Sequence, residues 1–158
     1  MTLLLSMPGG AEWIFIIIIL GIFLIPTIFY LITLQSTLEA ISFENRKMPL
    51  SNVWLLLIPL FNLVWHFFVV NALADSIKAE AEAKNIRLDE SRPGYDVGLA
   101  MCILHCCSVI PVIGVFATIG GLICWIVYWV KIAGYKNTLQ VDIFRSMNTG
   151  SEERTHIS

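Results

Sequence analysis

The chain has 158 residues, a net charge of −2, 57% hydrophobic residues and only 14% charged ones. A soluble domain carries roughly 25% charged residues, so most of this surface faces something other than water, and hydrocarbon is the solvent that fits. The slightly acidic balance excludes a nucleic-acid binder, which needs a dense basic patch, and the length leaves room for one compact domain.

Residues 1 to 12 hold no lysine or arginine, and the apolar run behind them lacks a small-residue cleavage motif, so the start reads as an uncleaved anchor. From Trp13 to Leu38 no residue carries a formal charge. At 1.5 Å per residue this first segment, 13–38, gives about 39 Å of helix against a hydrocarbon core of roughly 30 Å. Pro26 should kink it, with Thr27 offering a hydroxyl to the freed carbonyl. Leu31, Leu34, Leu38 and Ile41 continue an apolar stripe, which predicts an amphipathic stub that stops before Pro49.

The second segment, 50–74, admits two readings. As one kinked helix it measures about 37 Å and crosses the core. If Pro59 to Asn62 is a turn, the arm from Leu50 to Ile58 reaches only about 13 Å, and the segment dips in and returns to the side it came from. The string Ile58-Pro59-Leu60-Phe61-Asn62-Leu63-Val64 is echoed by Ile110-Pro111-Val112-Ile113-Gly114-Val115-Phe116. Each places proline three positions before a residue that tolerates left-handed geometry, so Pro59, Asn62, Pro111 and Gly114 are the expected turn residues.

A polar helix, 72–86, should carry the second segment into water, with Glu80 placed to pair with Lys84 one turn on. Arg87 to Gly94 reads as a loop that ends in Pro93-Gly94. Val97 to Val130 is again free of formal charge, and one helix of that length would run to about 51 Å, so it must fold back. Pro111 to Gly114 supplies the reversal and leaves segments 97–113 and 114–130. Trp125, Tyr128 and Trp129 beside Lys131 form an interface belt, and residues 140–158 read as a flexible cytoplasmic tail. The fold class is therefore all-α, a polytopic transmembrane helical bundle of four hydrophobic segments, with three or four crossings and a cytoplasmic helical extension.

Orientation follows from the basic residues. Arg46 and Lys47 lie between the first two segments, and Lys78, Lys84, Arg87, Arg92, Lys131, Lys136, Arg145 and Arg154 lie later. Four crossings set eight of these against two; three crossings, with Pro59 at a re-entrant tip, place all ten on one side. Both agree with the positive-inside rule and make the C-terminus cytoplasmic. They differ on the side of the N-terminus.

Few residues suggest chemistry. His66 and His105 are the intramembrane imidazoles, and such groups are functional candidates because burying them is costly. Together they could ligate one haem b, since imidazole suits haem iron; alternatively each forms an interhelical hydrogen bond, His66 near Asn62 and His105 near Cys102. Cys102, His105 and Cys106 share a helical face with the spacing of zinc or copper ligands, although all four cysteines also read as small packing residues. Gly114, Gly120 and Gly121 with Ala117 and Thr118 make a close-packing face. Arg46 and Lys47 could contact anionic lipid or a partner, while Glu80, Glu82, Asp89 and Glu90 read as a solvated face and loop. G-x-S-x-G, P-loop and H-E-x-x-H motifs are missing, so no enzyme is expected.

The runs NRKMPLSNVWLLLIPLFNLVWHFFVVNALADSIKAE, RPGYDVGLAMCIL and CWIVYWVKIAGYKNTL resemble a group of uncharacterised bacterial inner-membrane proteins over roughly residues 45 to 139. Some members carry a GYF-like cytoplasmic domain ahead of the membrane part, which implies a cytoplasmic N-terminus; this chain begins only about twelve residues before its first segment. The resemblance brings no reaction, ligand or catalytic residue with it. The expectation is a non-catalytic accessory subunit or interaction scaffold, with the bilayer and a membrane protein or second copy as partners and no cofactor. A haem- or metal-binding protein and a small-solute transporter are the alternatives, the latter with a polar path limited to Asn62, His66 and Asn71.

Overall fold

The computed structural model describes residues 10–111 and 113–155, with the backbone alone at 10, 11, 59 and 146–155. Four α-helices, α1 (Gly10–Glu39), α2 (Pro59–Ala83), α3 (Tyr95–Cys107) and α4 (Gly114–Thr155), are joined by a 3₁₀ turn (Phe43–Asn45) and a 3₁₀ arm (Leu50–Leu57). No strand occurs among the described residues, so the fold is the all-helical bundle expected.

In α1 the Thr27 hydroxyl bonds the Phe23 carbonyl at 2.7 Å, one residue beyond the Ile22 carbonyl that Pro26 leaves without its donor. The stripe Leu31, Leu34, Leu38 and Ile41 is fully buried. The helix then stops at Glu39, where the Arg46 guanidinium donates to the Ile41 and Glu39 carbonyls at 2.8 and 3.2 Å. A cation is favourable there because the last carbonyls of a helix lack partners and carry partial negative charge.

The second segment is not one kinked helix. Ile58 is extended (φ −84°, ψ 109°), as expected for a residue whose helical conformation the following proline ring disfavours. Pro59 opens α2, where its missing N–H costs nothing. The 3₁₀ arm lies back along α2: Trp65 Nε1 donates to the Asn52 carbonyl, and Lys47 N donates to Ser76 Oγ. Tyr30 meets His66 and Ser42 meets Glu80, at sequence offsets of 36 and 38, so α1 and α2 run parallel with the arm as the climb between them. The arm thus folds back on α2, as a turn near Pro59 requires, with the break one residue earlier than expected.

Neither Asn62 nor Gly114 adopts left-handed geometry; among the described residues only Asn85 (φ 55°) and Gly94 (φ 72°) do. Asn62 N donates to the Ile58 carbonyl at 2.8 Å and Gly114 N to the Ile110 carbonyl at 2.6 Å, so both close the first turn of a helix. Glycine is needed at 114 for space, because a Cβ there would lie 2.6 Å from the Ser108 carbonyl oxygen. The echoed strings thus do equivalent work, each ending an inbound leg and starting a long outbound helix. The arm with α2 and α3 with α4 form two hairpins.

The polar end of α2 finishes at Ala83, near the expected boundary. Left-handed Asn85 lets Ile86 N reach the Ala81 carbonyl at 2.8 Å, which closes the helix end. Helix α3 begins at Tyr95 and ends at Cys107, thirteen residues in place of the seventeen expected, or about 20 Å, which is short of a crossing. Contacts of Asn71 with Arg92 and of His66 with His105 make it antiparallel to α2. Gly98 permits this packing, since a Cβ would lie 2.6 Å from Val70 Cγ1 and 2.8 Å from Tyr128 Cε2. Gly120 and Gly121 face Leu104 at 3.4 Å or more. Helix α4 does not stop near Val130 or Leu139; it continues to Thr155, so the segment expected as a tail from 140 is helical up to there.

By length and composition three helices can cross a membrane: Glu12–Glu39, Leu60–Ala83 and Gly114–Arg145. They run parallel, because Thr33 and Tyr30 of α1 meet Trp129 and Trp125 of α4. Of the charged residues, only Glu12 precedes Glu39 along α1, and all the others follow the parallel helices to one end of the bundle.

Candidate functional site

Two polar assemblies stand out, one at the charged end and one in the apolar body. At the charged end Glu80 is fully buried, although the surrounding AEAEAK pattern suggests an exposed face. Its carboxylate accepts from Ser42 N (3.0 Å), Ser42 Oγ (2.8 Å) and Asn45 Nδ2 (2.6 Å), and it pairs with Lys84 Nζ at 2.8 Å, the one partner expected from sequence. Four donors on two oxygens offset the desolvation of the charge. Glu80 therefore ties the end of α1 to α2.

Arg92 performs the same task for the loop. It donates to Asp75 Oδ1 at 2.8 Å and Asn71 Oδ1 at 3.1 Å and stacks on Tyr95 at 3.9 Å. Asp75 beside it raises the guanidinium's pKa further. Glu90 bonds Lys131 of α4 and accepts from Gly94 N at 2.8 Å, and these two contacts hold its pKa below the ordinary 4.5. The expected lipid-contact pair divides: Arg46 caps α1, while Lys47 is held through its backbone by Ser76.

In the apolar body His66, 92% buried, lies with Nε2 2.9 Å from the Tyr30 hydroxyl. Its ring centroid is 6.4 Å from that of His105. The sequence pair thus converges from α2 and α3, nine residues above Asp75 on α2, about 13 Å into the apolar layer. His105 Nδ1 is 2.9 Å from the Met101 carbonyl, which can only accept, so Nδ1 carries the proton. Asn62, Leu63, His66, Cys102, His105, Ser108 and Val109 line a cavity of about 310 Å³ there. Asn62 Oδ1 and the Tyr128 hydroxyl are buried without a hydrogen-bond partner.

Cys102 is buried and Cys106 exposed, and all four cysteines are free. Among the described residues no three His, Cys, Asp or Glu side chains are grouped to hold a metal ion, so the Cys102, His105, Cys106 face does not form such a cluster. The close Val70–Gly98 contact lies one to two turns below the histidines, so they share a small cavity and not a slot running between the helices. Tyr30 is the partner that sequence reasoning missed: it stands 36 positions before His66, and no local pattern joins them.

No protein-family model, curated protein or solved structure matches the chain. Fold and composition define its class, a membrane protein built as an all-helical bundle.

Proposed function

We propose that the chain is a non-catalytic accessory subunit or interaction scaffold of the bacterial inner membrane, with its charged end in the cytoplasm. The positive-inside rule supports that orientation, because the basic residues gather with the C-terminal ends of α1, α2 and α4. The carrying observation is the water-side arm of α4. It continues twenty-four residues past Lys131, about 36 Å, in the zone where charges cluster.

Val141 and Phe144, three residues apart and therefore neighbours on the helix surface, are 58% and 73% exposed there. Beside them Ser36, Glu39, Ala40, Lys136, Gln140, Ile143 and Phe144 line a groove of about 370 Å³ between α1 and α4. Apolar side chains presented to water beside a groove are the kind of surface a partner covers. The end of α2 is less suited to this role, since Ile77, Glu80 and Ala81 are buried.

The partner class is a helix of another membrane protein or a second copy of this chain. In mild detergent the wild-type chain is expected to migrate as a complex, and V141S/F144S as a folded monomer of unchanged helicity. A lone wild-type monomer would sink the reading.

A further inference from the structure

The three parallel helices begin at different heights on the side away from the charges. Tyr30 meets His66 and Ser42 meets Glu80, so Pro59 stands level with residues 21–23 of α1. Trp13 lies beyond that level by about 12–15 Å of helix. Thr33 meets Trp129, which sets Gly114 level with residue 18 and about 8 Å short of Trp13. Over its first third α1 therefore stands alone: Trp13 to Leu20, Ile22 and Phe23 are 47–73% exposed, on every side of the helix. Lower down, the arm, α2, α3 and α4 all lie in the bundle with it.

Lipid is the occupant that suits the space above the tips. Helices associate in hydrocarbon through small or polar side chains, and from Trp13 to Phe23 the chain offers Trp, Ile, Phe and Leu with Gly21 alone among them. The tips are equally plain. Leu60, Val109 and Ile113 are 54–86% exposed, and no formally charged residue lies between Lys47 and Asp75 or between Asp96 and Lys131. Pro59 and Pro111 bring no N–H, and Ile58, Val109 and Ile110 donate theirs into the preceding turn, so less of the tip backbone calls for water.

A helix about 10–12 Å across excludes about 80–110 Å² of bilayer, so the four added segments displace roughly 300–450 Å² of lipid from the leaflet at the charged end. The opposite surface keeps that area. Crowding one leaflet strains a flat bilayer, and bending with that leaflet convex relieves the strain. We propose that the chain is a wedge in the lipid, which expands the leaflet at its charged end and gathers where that leaflet is convex. The partner is the bilayer itself. The water-side arm of α4 plays no part, so this reading and the assembly role stand or fall separately.

The test uses the full chain in phosphatidylcholine vesicles from about 30 to about 200 nm across, sizes that separate strongly curved from nearly flat membrane. E44C in a cysteine-free background takes an impermeant fluorescent maleimide from outside, which marks only copies with the charged end outward. Those copies should be several-fold denser per membrane area on the smallest vesicles than on the largest. Copies facing inward, marked by maleimide enclosed during reconstitution, should show the reverse order. Density independent of size overturns the proposal, and so does equal enrichment of both orientations, which no wedge of fixed sense produces. V141S/F144S should sort as the wild-type chain does; sorting lost in that variant assigns the effect to assembly through α4 and defeats the wedge.

Discussion

The 3₁₀ arm with α2 and α3 with α4 are two versions of one hairpin, each turning at an Ile-Pro pair and each sending out a helix that ends among charges. The inbound legs differ. Prolines 49 and 59 leave the first leg nine residues, which must rise alongside α2 from Ser76 toward Pro59, about 25 Å. A 3₁₀ helix gains about 2.0 Å per residue against 1.5 Å for an α-helix, so the stretched form covers more of that height. The second leg has thirteen residues before its turn and remains α-helical. Reach, more than intrinsic propensity, separates the two legs.

The comparison can be broken most completely at the tips. Both carry exposed apolar residues, Leu60 at one and Ile113 at the other, and no charge. In a cysteine-free background L60C and I113C should resist a membrane-impermeant maleimide from either side, whereas E44C reacts from the charged side. Labelling of either tip from the opposite side would show that the hairpins cross.

Next in size is the tie holding the first hairpin to α1. E80A leaves Ser42, Asn45 and Lys84 without their acceptor and should cost about 3 kcal/mol, read as a lowered denaturation midpoint in mild detergent. E80Q, which keeps one acceptor oxygen, should cost less.

For the second hairpin, G98V should cost about 2 kcal/mol by forcing α3 away from Val70 and Tyr128. G121A, whose new methyl would meet Leu104 at an ordinary 3.6 Å, should be neutral or gain up to about 1 kcal/mol from helix propensity. Equal losses in both variants would remove Gly98's special standing.

The smallest effect is a pH dependence. Glu90's pKa is depressed in the folded state, first by Lys131 and then by Gly94 N–H. The stabilisation is therefore present above the ordinary value of 4.5 and disappears as pH falls through the lower folded value. A pair about one-third exposed contributes roughly 1 kcal/mol at most. E90Q should remove that part of the acid sensitivity, as melting between pH 6 and pH 3 would report.

What the sequence made legible was whatever repeats locally. The charge-free runs, the stripe from Leu31 to Ile41, the Ile-Pro echo and the Glu80–Lys84 pair all depend on neighbours within a turn or two. Glu80's burial does not, because its other donors come from Ser42 and Asn45, 35 to 38 positions earlier, and AEAEAK reads the same whether covered or bare. Gly98 carries no such signal, since a lone glycine says nothing about which helix approaches it. The length of α4 is not legible because a polar helix and a polar tail share a composition. Residue type alone pairs His66 with His105, and their shared cavity depends on the antiparallel register of α2 and α3.

Both tips lack ionised side chains, and this bears on how the molecule is inserted. Carrying one charged side chain through the centre of a bilayer costs about 2.5–3.5 kcal/mol on insertion scales. With the charged end in the cytoplasm, as proposed, and the hairpin tips short of the far side, Glu12 is the charged side chain before Glu39 that would make that journey when α1 is threaded. In that orientation the charges after it would enter from the compartment of synthesis and stay on that side, with no further ion translocated.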